Sequence, residues 1–349
     1  MTTLLNQYFL IFVGIIVSLL ASRLAITIAK KYNIIDYPGR TSHGIHTTST
    51  PLAGGMAIVI SLFVILLVSG LLFDHKIQIV FLSMLLVFIF GLIDDVRGLS
   101  ALIKLCGQLI ATAVIIFSGI RIGIFESPQF VLFGLGVWGY RLDLVLTMLW
   151  IVGLTNAFNL VDSMDGVSLG LATIVFAFLV LTSEESQDIS LSLFAAAMAG
   201  IGLGLLFYNS YPAKVFLGDS GAQILGFVIS VILINYSPVK SVNQNSSWFI
   251  PILLVAFPIF DTCLVFFSRI RRGKAFYKAH LDHTFHRLVK LGFEQHKAVQ
   301  VIHLSAILLG SAAFFIIYLP PIFANLVFGM FVLLAGALII WLDRKSSWA

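Results

Sequence analysis

Three short stretches place acidic and amide side chains at spacings that suit the handling of phosphates and a hard cation. In Phe216-Leu217-Gly218-Asp219-Ser220-Gly221 one carboxylate sits between two glycines, with Lys214 just upstream. Glycine on both sides lets a bulky charged ligand approach the backbone. An Asp beside such a turn is a natural ligand for Mg²⁺, which takes oxygen ligands and leaves room for substrate phosphates. Asp219 would equally serve as the N-cap of the apolar helix that follows. In Gly91-Leu92-Ile93-Asp94-Asp95 two adjacent carboxylates end an apolar run. A bound cation would relieve their repulsion, and a solvated helix end is the alternative. Lys104 follows at the start of the next apolar run, placed to meet a phosphate or to snorkel to the interface. In the third stretch Asn156, Asn159, Asp162 and Asp165 recur every third residue and lead into Gly166. That spacing predicts one helical face bearing four oxygen-carrying side chains, a set suited to a metal or a nucleoside because amides donate and accept while carboxylates only accept.

Three further features carry weaker signals. The segment from Asp36 to Gly55 is a turn-rich loop with Arg40 and His43, continuing through Thr50 into Gly54-Gly55. It reads as an anion site at a helix start or as a site of close helix packing. Asp261 lies inside an apolar run, as a functional acid or as the partner of a cation such as Arg269. The stretch from Arg269 to Arg287 is basic and holds His280, Asp282, His283, His286 and Arg287, groups that hold phosphates.

The elements that position these residues are transmembrane helices. The chain is 59% hydrophobic and 11% charged, with a mean hydropathy of +1.04, whereas soluble domains carry about 25% charged residues. Apolar runs long enough to cross a bilayer recur along its length. The expected architecture is an all-α polytopic membrane protein, one domain over 1–349, with about eleven spans near 8–29, 51–73, 78–93, 101–119, 144–160, 166–182, 189–208, 221–236, 248–267, 299–318 and 322–342. The first run lacks a basic start and reads as a retained span. With the N-terminus outside and the C-terminus cytoplasmic, 17 of the 21 Lys and Arg fall on the inner side and 4 on the outer, as the positive-inside rule asks. All the polar clusters then lie at inner ends of spans, which is what a cytoplasmic-facing cleft would give. The net charge of +5 suits that inner-face bias and not nucleic-acid binding. Cys106 and Cys263, the two cysteines, have no metal-ligand spacing.

Taken together, Asp94-Asp95, the Asn159-x-x-Asp162-x-x-Asp165-Gly166 run, Phe216-x-Gly218-Asp219-x-Gly221 and the His-rich loop occur in an order that resembles the polyprenyl-phosphate N-acetylhexosamine-1-phosphate transferases. The resemblance covers about 36 to 292. It implies a multi-span bacterial cytoplasmic-membrane enzyme that moves a sugar 1-phosphate from a UDP-sugar to a polyprenyl phosphate, releasing UMP, with Mg²⁺ (or Mn²⁺) required. The branch that uses UDP-MurNAc-pentapeptide has three successive histidines in its last loop. Here the loop reads His283-Thr284-Phe285-His286, closer to the undecaprenyl-phosphate GlcNAc-1-phosphate transferases, with Phe285 at a family histidine position.

By position, the resemblance makes Asp219 a metal ligand, with Asp95 and Asn159 beside it. Phe216 becomes the ring that stacks on uracil, and Asn159, Asp162 and Asp165 line the nucleotide site. Asp94 and Asp95 lie near the lipid phosphate, with Asp94 the candidate to deprotonate it. Thr50, Lys104, His283, His286 and Arg287 contact substrate. Glycine-rich faces of several spans would suit packing within a subunit or in a homodimer. A transporter would instead place its acids near mid-membrane, often on interrupted helices in repeated halves, and an inactive membrane scaffold would lack some of these acids.

Overall fold

The computed structural model describes residues 2–38, 49–126, 137–182, 189–236, 248–273 and 282–346, with side chains from Asn6 onward. The expected residues Gly39, Arg40, Thr41, Ser42, His43 and His280 lie outside them. Thirteen α-helices make up the described fold: α1 (Thr2–Lys31), α2 (Gly54–Ser69), α3 (His75–Arg97), α4 (Ala101–Phe117), α5 (Val137–Val161), α6 (Val167–Thr182), α7 (Ile189–Asn209), α8 (Gly218–Ile234), α9 (Ile250–Leu254), α10 (Ala256–Arg271), α11 (Thr284–Lys290), α12 (Gln295–Ile316) and α13 (Pro321–Lys345). Six of them, α1, α3, α5, α7, α12 and α13, are long and apolar enough to cross a membrane, and α2, α4, α6 and α8 are shorter apolar helices. The chain is an all-α membrane protein. The ninth expected segment is broken, with α9 and α10 separated at Val255. Among the described residues a two-residue antiparallel pair, β1 (Ile35–Asp36) with β2 (Thr50–Pro51), is the one named sheet.

Helix α8 is the centre. From Ser220 to Leu233 every residue is buried, as expected for a helix that is apolar all round. It packs against α2, α3, α5 and α6. At the periphery, α13 packs on α10 and exposes Ile322, Leu333 and Leu334, the face a lipid-solvated helix presents. Hydroxyls within the helices bond to their own preceding turn, as Thr112 does to the Gln108 carbonyl and Thr155 to the Ile151 carbonyl, both at 2.7 Å. These hydroxyls are thereby satisfied within their own helix, as a membrane interior demands.

The pairing of α1 with α7 depends on small residues. A Cβ on Gly200 would lie 2.3 Å from the Ile11 carbonyl oxygen and 2.9 Å from its Cα, both main chain that cannot swing aside. Gly329 in α13 faces open space. Gly200→Ala is therefore expected to lower stability by about 1–3 kcal/mol, while Gly329→Ala leaves it unchanged. Thermal unfolding of both variants in the same detergent checks this, and equal melting temperatures would contradict the close α1–α7 approach.

Candidate active site

The site forms where the C-terminal turn of α3 meets the N-terminus of α8. A helix start leaves backbone N–H groups without partners inside its own helix. Asp95 supplies acceptors across the gap. Its Oδ1 accepts from the Asp219 N–H at 2.7 Å, and its Oδ2 from the Ser220 N–H at 3.2 Å and the Ser220 hydroxyl at 2.6 Å. Asp95 thus caps α8 from another helix, and Asp219 does not act as the N-cap of its own. The approach is possible because the junction is lined by glycine. A Cβ on Gly91 would lie 2.5 Å from Ser220 Cα, and one on Gly218 would lie 2.6 Å from Asp95 Oδ2. Gly218 also holds φ at +69°, a left-handed conformation natural to glycine.

Freed from capping, the Asp219 side chain turns to α4. The Lys104 ammonium contacts both Asp219 Oδ2 and Asp94 Oδ2. Asp94 also accepts from the Leu99 N–H beyond the Gly98 helix end. Lys104 is therefore held between two carboxylates, and it does not merely snorkel.

The glycine-rich start of α2 is not an open anion site. The Ala53 and Gly54 N–H groups donate to the Phe216 carbonyl at 3.2 and 3.0 Å, and the Gly55 N–H donates to the Leu217 carbonyl at 3.2 Å. The chain's own carbonyls take up these donors, and the glycine pair serves close packing. Phe216 also donates its N–H to the Pro51 carbonyl at 3.0 Å. This fixes the half-exposed Phe216 ring beside the strand that carries buried Thr50.

The run from Asn156 to Asp165 does not form one helical face. Helix α5 stops at Val161, and a turn through Gly166, φ +77°, follows. The Asn156 amide is taken up inside the bundle by Gln108. Asp165 accepts from the Ala213 N–H at 2.9 Å and so holds the turn between α7 and α8. Asn159 sits in the last turn of α5, half-buried. Burial, then the neighbouring carboxylates of Asp219, Asp95 and Asp165, push the Asp162 carboxyl well above the usual carboxylate range.

That crowding of acids is the observation that fits a divalent cation. Asp94 and Asp219 share the Lys104 ammonium, and Asp162 feels the charge of Asp219, Asp95 and Asp165 beside it, so carboxyl groups outnumber cations here among the described residues. Among the described residues no three His, Cys, Asp or Glu side chains form a ready coordination shell. A Mg²⁺ here would take one or two carboxylates and complete its shell with substrate phosphate and water. Both oxygens of Asp95, expected as a ligand, already accept hydrogen bonds from α8.

The described arginines of the basic stretch have acidic or hydroxyl partners within the protein. Arg269 donates to Asp282 at 3.0 and 2.7 Å, and Arg272 lies 3.6 Å from the same carboxylate. Arg287, expected to hold phosphate, is fully buried. Its guanidinium donates to the Asp282 carbonyl at 2.9 Å, the Ser268 hydroxyl at 2.7 Å and the Ser346 hydroxyl at 2.9 Å. It is a structural hub, because a side chain with no exposed surface and its donors committed has no access to a substrate.

Asp261 pairs with His283 and not with Arg269. Its Oδ2 lies 2.8 Å from His283 Nδ1, and its Oδ1 accepts from the Thr284 N–H at 2.6 Å. This orients the His283 ring, whose centroid is 6.0 Å from that of His286. Phe285 points into the core, 2% exposed. No direct contact joins these histidines to Asp219 among the described residues.

The Arg269–Asp282 pair has a measurable consequence. Burial alone would raise the Asp282 carboxyl, but the hydrogen bonds and charge of Arg269, with His283 and Arg272, hold it below its ordinary value. A lowered folded-state pKa means stabilisation that is complete above about pH 4, the unfolded value, and lost as pH falls through the folded value. With both side chains about nine-tenths buried or more, Asp282→Asn is expected to cost about 3 kcal/mol at pH 7. The gap to the parent should close on acidification. Unfolding curves at pH 7 and at about pH 2, well below the unfolded value, check this, and equal stability at pH 7 would contradict the pairing.

Known proteins resemble this chain along most of its length. Residues 77–237, which hold Asp94, Asp95, Lys104, Asn159, Asp162, Asp165 and Asp219, match the family described as Glycosyl transferase family 4. The chain is 34% identical over 336 residues to a probable undecaprenyl-phosphate N-acetylglucosaminyl 1-phosphate transferase of Bacillus subtilis (strain 168), covering 91% of each chain. It is 27% identical to the decaprenyl-phosphate N-acetylglucosaminephosphotransferase of Mycobacterium leprae, covering 95% of this chain and 89% of the relative. Similarity to the phospho-N-acetylmuramoyl-pentapeptide-transferase of Bacillus velezensis is 33% over 65% of this chain and 74% of the relative. With a third of its residues shared over nine-tenths of both chains with the Bacillus subtilis protein, this chain belongs to glycosyl transferase family 4.

Proposed function

We propose that the protein transfers N-acetylglucosamine 1-phosphate from UDP-GlcNAc to undecaprenyl phosphate, releasing UMP, as the first step of a cell-envelope glycan. The observation that carries this reading is Lys104 shared between Asp94 and Asp219 at the N-terminus of α8, within a chain so similar in extent to the N-acetylglucosamine transferases. Similarity to the pentapeptide transferase covers less of the chain, which favours GlcNAc over the pentapeptide-bearing donor. The transporter reading loses its one supporting acid, since Asp261 is engaged by His283 and Thr284.

In this reaction an oxygen of the lipid phosphate attacks the phosphorus that carries the sugar. The bond from that phosphorus to the bridging oxygen breaks, and UMP departs with its electrons. Both reactants are anions, so catalysis rests on positioning and charge neutralisation. Asp94, paired with Lys104, is the carboxylate we assign to take the proton of the lipid phosphate. Lys104, already poised between carboxylates, offers its ammonium to phosphate oxygens. Asp219 is the side chain we assign to hold Mg²⁺ or Mn²⁺, which would screen the donor diphosphate, with Asn159 at the end of α5 as a second candidate ligand. Asp95 keeps the Asp219 backbone in place. The half-exposed Phe216 ring, Thr50 beside it and the Asp162–Asp165 turn suit the nucleotide, and His283, oriented by Asp261, with His286 suits phosphate.

The charge distribution supports eleven crossings with the N-terminus outside and the site on the cytoplasmic face of a bacterial inner membrane. Six long helices, four shorter apolar ones and the broken α9–α10 segment would make up that number. Asp94 and Asp95 at the end of α3, Lys104 at the start of α4, Asn159 at the end of α5 and Asp219 at the start of α8 then share one face. Several exposed apolar faces leave room for a homodimer.

Purified protein with undecaprenyl phosphate, Mg²⁺ and a panel of UDP-sugars tests the proposal. UMP release is expected with UDP-GlcNAc, dependent on the lipid and abolished by EDTA. Release with another sugar alone would move the substrate, and none with any donor from folded protein would overturn the assignment.

A further inference from the structure

One turn deeper than the site, three side-chain amides from three helices meet. Gln108 is four residues beyond Lys104 on α4, Gln223 four beyond Asp219 on α8, and Asn156 three before Asn159 on α5, each one helical turn from its partner. Gln108 Nε2 donates to Gln223 Oε1 at 3.0 Å and to Asn156 Oδ1 at 3.3 Å. Gln108 Oε1 accepts from Asn156 Nδ2 at 2.7 Å, and Asn156 also donates to the Val152 carbonyl at 2.8 Å. The Gln108–Gln223 bond thus runs parallel to the Lys104–Asp219 ion pair, between the same two helices.

The cluster is not explained by stability. Gln108 is 2% and Gln223 is 1% exposed, in helices that are otherwise mostly apolar. Among the described residues the Gln223 Nε2 donor has no partner. Turning that amide over would set its NH₂ against the NH₂ of Gln108, so the Oε1 faces Gln108 and the donor points away from the cluster. An unmet buried donor is costly, and an apolar side chain of equal size would avoid it. What the amide provides in return is register. Helix α4 packs against α3 and α5 and reaches α8 through long side chains.

We propose that Gln108, Asn156 and Gln223 are positioning residues that fix α4 against α8 and α5, and so set where the Lys104 ammonium stands relative to Asp219. The inference rests on placing the transfer site at Lys104 and Asp219. Small displacements of such groups cost up to about 100-fold in rate.

The test compares Gln108→Met, Gln223→Met and the double variant by transfer kinetics and thermal unfolding. Each single change is expected to lower kcat at least about tenfold and to raise KM for UDP-GlcNAc severalfold, at a melting temperature equal to or above the parent. The double variant should be no worse than the poorer single, because both act through one hydrogen bond. Parental kinetics in the single variants would overturn the proposal. So would an activity loss that tracks loss of folded protein with KM unchanged, since that marks a purely structural role. Lys104→Met, measured alongside, separates the two claims. Full activity there overturns the site itself, whereas lost activity there with parental kinetics in the glutamine variants overturns the positioning role alone.

Discussion

A helix that begins beside a membrane interior must have its first N–H groups satisfied, and in α8 Asp95 of a neighbouring helix does this. Much else follows from that contact. It ties the end of α3 to the start of α8 and requires glycine at 91 and 218, where a side chain would collide with Ser220 or Asp95. It also releases the Asp219 side chain from capping, so that a carboxylate in the first turn of a buried helix can face a lysine from α4. A residue that caps its own helix could not be turned outward in this way.

The two polar regions differ in how their charge is balanced. Around Asp219 carboxylates exceed cations, and the Asp162 carboxyl is raised by its crowded, buried setting. That imbalance is what a metal and the cationic side of a phosphate site would use. In the last loop the arginines are matched by Asp282 and Asp343, and Arg287 is sealed inside. Its balance is that of a structural joint, docking α10, α11 and the end of α13. The histidines sit at the edge of this joint, with Asp261 fixing one of them.

The spans and the acids were legible in the sequence because isolated charges stand out against long apolar runs. Asp94, Asp95, Lys104 and Asp219 could be singled out, and three of these four converge on one ion cluster. What the sequence left hidden was the direction of each partnership. The three-residue spacing from Asn156 to Asp165 suggested one face, yet Val161 ends the helix, and the last two carboxylates lie on a turn. The Gly54-Gly55 pair resembled an anion site, but carbonyls distant in sequence fill it. Asp261 had two open readings and took a third partner, His283, across a loop. Gln108 and Gln223 gave one signal that was passed over: uncharged amides buried in apolar helices, each a turn from a candidate site residue. Their pairing is tertiary and no local pattern encodes it.

The central claim is that chemistry happens at the α8 N-terminus, with Asp219 facing Lys104 and held from behind by Asp95. Asp219→Asn keeps the side chain's size and the backbone N–H that Asp95 accepts, and removes only the charge. Its transfer activity with UDP-GlcNAc and undecaprenyl phosphate, set against its melting temperature, is the most direct measurement. The account predicts a loss of at least about 100-fold in protein that inserts and unfolds like the parent. Near-parental transfer by that variant would contradict it and move the chemistry elsewhere in the molecule.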